Sequence, residues 1–120
     1  MPTRGTVMTD MTARGEIHVR KVAATRLYEA LVDGRVVGTL AYETSGGRTS
    51  LTHSFVDPDR RHAGVGSALA EFALADATGA GDRPSVYCGF VADYVAAHPR
   101  WAGLVDVHRS ALIPTRSSRP

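Results

Sequence analysis

A single cysteine, Cys88, stands in the 120 residues, so no internal disulfide is available and a reducing compartment fits. The five histidines include no i, i+4 pair. With only one cysteine beside them, the spacing offers no zinc cluster, and no metal is expected. No apolar run approaches the roughly 18 residues that a membrane span requires. The opening residues also lack the apolar core of a signal peptide. A cytoplasmic location without a membrane partner is therefore the expectation. Charge of neither sign dominates: 14 Lys and Arg face 12 Asp and Glu, a net of +2. The arginines are scattered, with tight basic pairs only at Arg20-Lys21 and Arg60-Arg61, whereas a nucleic-acid binder gathers its cations on one face. There is no internal repeat.

What is present suits one small soluble domain. The apolar share is 43% and the charged share 22%, both ordinary for a globular chain. Residues 1–15 carry Thr, Arg, Gly and Met without a period and read as a disordered leader. Residues 109–120 read as a flexible tail, which leaves residues 16–108 as the domain.

Within it the patterning is legible. Arg26 to Val32 reads as a strand with Tyr28, Ala30 and Val32 on one face. Asp33-Gly34 is a two-residue hairpin signal, and Val36 to Tyr42 is the return strand. Thr44 to Gly47 form a second turn. Thr49 to Val56 is a third strand with Leu51, His53 and Phe55 on one face. A helix then runs to about Thr78, with Val65, Ala68, Leu69 and Phe72 facing the sheet. Ser67, Glu71 and Thr78 fall on its wet side, as does Leu74, which is expected to be half exposed. Gly79 and Gly81 end the helix. Pro84 to Cys88 reads as a fourth strand. Phe90 to His98 reads as a short helix stopped by Pro99, and Trp101 to Val105 as an apolar segment closing the core. The order β-β-β-α-β-α implies a mixed α/β sheet. Its last strand is parallel to the one before the crossover helix.

The junction between third strand and long helix carries the chemistry. Val56 ends a strand, Arg60-Arg61 follow, and Gly64 and Gly66 open the helix. Glycine lets backbone approach a ligand closely. A helix start offers unpaired N–H groups and partial positive charge to a phosphate.

These residues resemble the GNAT-superfamily acyltransferases, and among them the smallest single-domain branch. The superfamily loop has Arg or Gln, two free positions, Gly, one free position, then Gly or Ala. Arg61-His62-Ala63-Gly64-Val65-Gly66 fits it. The branch adds His-Thr or His-Ser, one residue, then Val, matched by His53-Ser54-Phe55-Val56. It also has a cysteine followed two residues later by an aromatic, matched by Cys88-Gly89-Phe90, and a later proline-aromatic pair, matched by Pro99 and Trp101. The resemblance covers roughly Glu16 to Val105. Three positions depart from it: Val86 and Gly89 stand where proline, or proline or serine, is usual, and Asp57 intervenes before Pro58. They touch the strand ends and leave the loop intact.

The resemblance implies a GNAT-like fold with a splayed parallel strand pair. It implies acetyl-CoA as co-substrate and an amine, small or protein-borne, as acceptor, in a monomer or homodimer. Backbone amides of Ala63, Gly64, Val65, Gly66 and Ser67 would hold the pyrophosphate, with Arg60 or Arg61 pairing a phosphate. The pantetheine arm would enter between the strands ending at Val56 and Cys88, and the thioester would lie near Phe55, Cys88 and Phe90. His53 could accept the amine's proton, or be a core histidine sharing a face with Leu51. Cys88 could be a covalent nucleophile, or a buried lining residue. Tyr94 could protonate the leaving thiolate, or be a core aromatic. His98 is expected to cap its helix, and His62 to be solvated. Two other readings remain beside an N-acetyltransferase: a CoA-binding module without turnover, and an interaction domain.

Overall fold

The computed structural model describes residues 16–61 and 63–108. The expected leader, tail and solvated His62 lie outside the described residues. Among the described residues six strands form one sheet in sequential order: β1 (Ile17–Val22), β2 (Leu27–Val32), β3 (Arg35–Ser45), β4 (Arg48–Val56), β5 (Ser85–Val86) and β6 (Asp106–Val107). Helix α1 (Val65–Gly79) joins β4 to β5, and α2 (Gly89–Ala97) joins β5 to β6, with 3-10 turns at Pro58–Arg60 and Pro99–Trp101. β1 to β4 are antiparallel; β4, β5 and β6 are parallel. The mixed α/β sheet expected from the sequence is present, with two additional strands.

The hairpin at Asp33-Gly34 forms as its residues dictate. Both have positive φ, 52° and 81°, and Val32 faces Arg35 across the turn. β1 is not among the expected strands, and Lys21 explains why. It faces Tyr28 across the ladder, at a position where alternation calls for an apolar residue. Its ammonium instead pairs with Asp76 at 3.1 Å and lies 5.1 Å from the Tyr42 ring centroid. Tyr28 donates to the same Asp76 carboxylate at 2.9 Å. Burial, and then that bond, push the Tyr28 phenol far above its ordinary value. β6 has two residues, too few to show a period; Arg83 and Arg48 both bond Asp106 and pin it.

α1 buries Val65, Leu69, Ala70, Ala73, Leu74 and Ala77 against the sheet. This corrects the expected face. Leu74 has 0% of its surface exposed, whereas Phe72 is 37% exposed and sits edge-on to Tyr28. Small alanines carry a weak apolar signal, so bulky Phe72 misdirects a reading by size. The true face is two rows four residues apart, which lets the helix lie close to the strands. After α1, Gly81 N–H bonds Thr78 O and Asp82 N–H bonds Ala77 O, the paired bonds of a Schellman ending. α2 lies beside α1 over β4 and β5, and one core cluster includes Tyr28, Leu40, Leu51, Leu69, Val86, Val91, Val95, Trp101 and Val105. The apolar segment from Trp101 to Val105 thus closes the core at its two ends, as its composition implies.

Candidate functional site

The site begins where β5 stops. β5 pairs with β4 only at Ser50↔Ser85 and Leu51↔Val86. Past Val86 the amides of Tyr87 and Cys88 both turn onto Leu51 O, at 2.9 and 3.1 Å. The expected strand to Cys88 is therefore shorter, because one carbonyl takes both donors and the ladder cannot advance. β4 runs on through Val56 with, among the described residues, only β3 beside it.

A bulge lies at the same place. Ala41 faces His53 and Tyr42 faces Leu51, so Thr52 is the extra residue. The bulge reverses the phase of the strand. Leu51 stays in the core, while His53 and Phe55 lie on the face away from the helices, correcting the single face expected for the three. His53 is exposed, so the core-histidine reading is set aside, and Phe55 is 58% exposed.

The chain then turns through Pro58–Arg60, with Asp57 capping that turn by accepting from Asp59 N–H at 3.0 Å. Gly64 takes φ +89°, a conformation that side-chain-bearing residues rarely adopt, and α1 starts at Val65. The first backbone bond of α1 is Ala68 N–H to Gly64 O, and no side chain caps the helix. The amides of Val65, Gly66 and Ser67 thus precede the intrahelical ladder. A Cβ on Gly66 would come within 2.7 Å of the Phe90 ring, so this glycine permits the start of α2 to approach the start of α1.

These parts enclose a cavity of about 640 Å³, the size of a ligand pocket. Its lining is Ser54, Phe55, Val56, Arg60, Arg61, Gly64, Val65, Gly66, Ser67 and Phe90. Arg60, Arg61 and the α1 amides come from the loop and helix start that follow β4, and neither arginine has an ion-pair partner among the described residues. Phe55, Val56, Val65 and Phe90 are apolar. Ser54 brings a hydroxyl, and Cys88 stands 3.4 Å behind it, 5% exposed.

Nine of the residues singled out from sequence meet at this cavity. Ala63 is exposed beside it and Cys88 backs it, while His53, also exposed, is not among its lining residues. Tyr94 is elsewhere: its hydroxyl donates to Glu71 Oε1 at 2.6 Å. Burial, and then that bond, push its phenol up to about 12. Glu71 also accepts from Trp101 Nε1 at 3.0 Å and from Arg100. The Tyr94 bond leads in holding its carboxyl below the ordinary value. Glu71 is therefore a half-buried staple between the helices, not the wet residue expected from α1 periodicity. His98 caps α2 as expected, its Nδ1 lying 2.8 Å from Tyr94 O. Ser54 escaped the sequence reading; plain alternation puts it on the face opposite Leu51, and the bulge at Thr52 is what turns it to the cavity side.

Among the described residues no group of three or more His, Cys, Asp or Glu could hold a metal, and no helix is long and apolar enough to cross a membrane. The family model described as GCN5-related N-acetyl-transferase matches residues 27–104, and the chain belongs to that family. No curated protein matches it.

Proposed function

We propose that this GCN5-related N-acetyltransferase carries acetyl groups from acetyl-CoA to a primary amine, with the cavity at the end of β4 as its donor site. The observation that carries this reading is what lines the cavity beyond the paired part of β4. Cationic and amide groups come from Arg60 to Ser67, apolar ones from Phe55, Val56, Val65 and Phe90, and a hydroxyl from Ser54. That set of groups suits a pyrophosphate, a pantetheine arm and a thioester.

The amides of Gly64 to Ser67 and the two guanidinium groups hold the pyrophosphate. Phe55, Val56, Val65 and Phe90 flank the pantetheine arm. The unpaired edge of β4 offers it backbone groups, as an edge strand offers them to an added strand. The thioester lies by Ser54 and Cys88. The amine approaches from the open face of the sheet, where His53 accepts its proton, directly or through water. Nitrogen bonds to the acetyl carbon, the C–S bond breaks with its electron pair on sulfur, and the thiolate departs. We assign Cys88 to the pocket wall, because its Sγ is buried behind Ser54. We assign Tyr94 to docking α2 on α1, because its hydroxyl is committed to Glu71.

That commitment favours one second reading, a CoA-binding module that does not turn over. Calorimetry with CoA and acetyl-CoA, followed by turnover over a panel of small amines and lysine peptides, separates the two. Micromolar binding with amine-dependent CoA release supports the enzyme. Binding without release supports the module. No binding removes both.

A further inference from the structure

A thiolate leaving into an apolar passage needs a donor, and the usual phenol is not at hand, since Tyr94 faces Glu71. The arginines and Ser67 belong to the loop and helix start that follow β4, away from Cys88 along the chain. Among the described residues lining the cavity, Ser54 is the remaining side chain with an O–H or N–H. Its contact with Cys88 allows an arrangement in which its proton points into the cavity. Cys88 Sγ is buried and has Ser54 Oγ, 3.4 Å away, as its polar partner. The thiol hydrogen is satisfied by donation to that oxygen. The hydroxyl hydrogen of Ser54 then has no acceptor among the described residues and is free to turn into the cavity.

We propose that Ser54 donates a hydrogen bond to the sulfur of the departing CoA thiolate, with Cys88 as the positioning residue that orients the hydroxyl. The inference rests on the acetyl-CoA reading and adds a residue to it. No proton leaves Ser54. The electron pair of the broken C–S bond stays on sulfur, the hydroxyl stabilises that charge, and the amine's proton goes to His53. Sulfur takes a proton from water on release, and His53 returns one to water, so charge balances.

The proposal can be tested without knowing the acceptor. The complex of the protein with CoA is titrated from pH 6 to 10 by thiolate absorbance in the ultraviolet, with the desulfo-CoA complex as reference to cancel Cys88. The expected result is a bound CoA thiol pKa about one unit lower in the wild type than in Ser54→Ala, the size of a hydrogen bond to a charged group. Ser54→Thr keeps the hydroxyl and is expected to keep most of the shift; Cys88→Ala is expected to lose part of it. Affinity for desulfo-CoA and the melting temperature serve as folding controls and should stay within twofold and a few degrees. Equal thiol pKa values in wild type and Ser54→Ala, with both binding CoA, would overturn the role of Ser54. Failure of the wild type to bind CoA would instead overturn the donor-site reading, and this role with it.

Discussion

The two halves of β4 are made differently. Ser50 and Leu51 have a strand on each side, β3 and β5, and Leu51 is fully buried beneath α1 and α2. Thr52 to Val56 have β3 alone, a bulge at their start, and a cavity where the second neighbour would be. One strand therefore supplies both core and the proposed ligand edge. On that reading, stability and binding are separable here along a few residues of backbone.

The sharpest way to test that separation is to damage the closed side. Leu74→Ala removes a side chain with no exposed surface, and a cost of about 3 kcal/mol is expected from lost burial and the cavity left behind. Urea denaturation should show that loss while CoA affinity of the folded protein stays within twofold. A large loss of affinity would mean that the halves are coupled. The reciprocal change is Gly66→Val. It places carbon within 2.7 Å of the Phe90 ring and crowds the α1 amides. CoA affinity is expected to fall about a hundredfold, the equivalent of about 2.7 kcal/mol, with little change in melting temperature. Calorimetry and a thermal melt on the same sample check both.

Smaller effects sharpen the picture. Arg60→Ala and Arg61→Ala should each weaken CoA by roughly tenfold, and less so in high salt, because each removes a solvent-screened charge from the phosphate end. An equal loss for CoA and for pantetheine, which lacks the phosphates, would contradict the assignment.

The smallest effect concerns the Glu71 staple. Its carboxyl is held below the ordinary value, so its contribution to stability is complete above the unfolded pKa, about 4.5, and is lost as pH falls through the depressed folded value. Tyr94 has the opposite sign. Its folded phenol is raised to about 12, so its contribution is complete below about 10 and lost as pH rises toward 12. Glu71→Gln should flatten the acid limb of a stability–pH curve and leave CoA affinity nearly unchanged. An unchanged acid limb would show that the staple is not formed in solution.

The parts legible in the sequence were those fixed by neighbours along the chain. Asp33-Gly34 carries its turn in two residues, and Arg61 to Gly66 carry the loop in six. The bulge at Thr52 is different. It arises from how β4 registers on β3, and nothing in His53-Ser54-Phe55-Val56 announces it. The facing of His53 and Phe55 was hidden with it. The same holds for Leu74 and Glu71, whose surroundings depend on how α1 meets the sheet and α2. β1 was hidden by Lys21, whose charge is satisfied by Asp76 and tyrosine rings contributed from far along the chain. The residues proposed to hold a ligand end could be read; the cross-strand and cross-helix contacts that aim them could not.

The proposed donor site requires the first-turn amides of α1 and the one-sided edge of β4 to bind CoA together. The most direct measurement is an amide NMR titration of the protein with CoA. Shifts concentrated at Gly64 to Ser67 and at Ser54 to Val56, with β1 and β2 still, are the predicted result. No shift at millimolar CoA, or shifts centred on other elements, would contradict it.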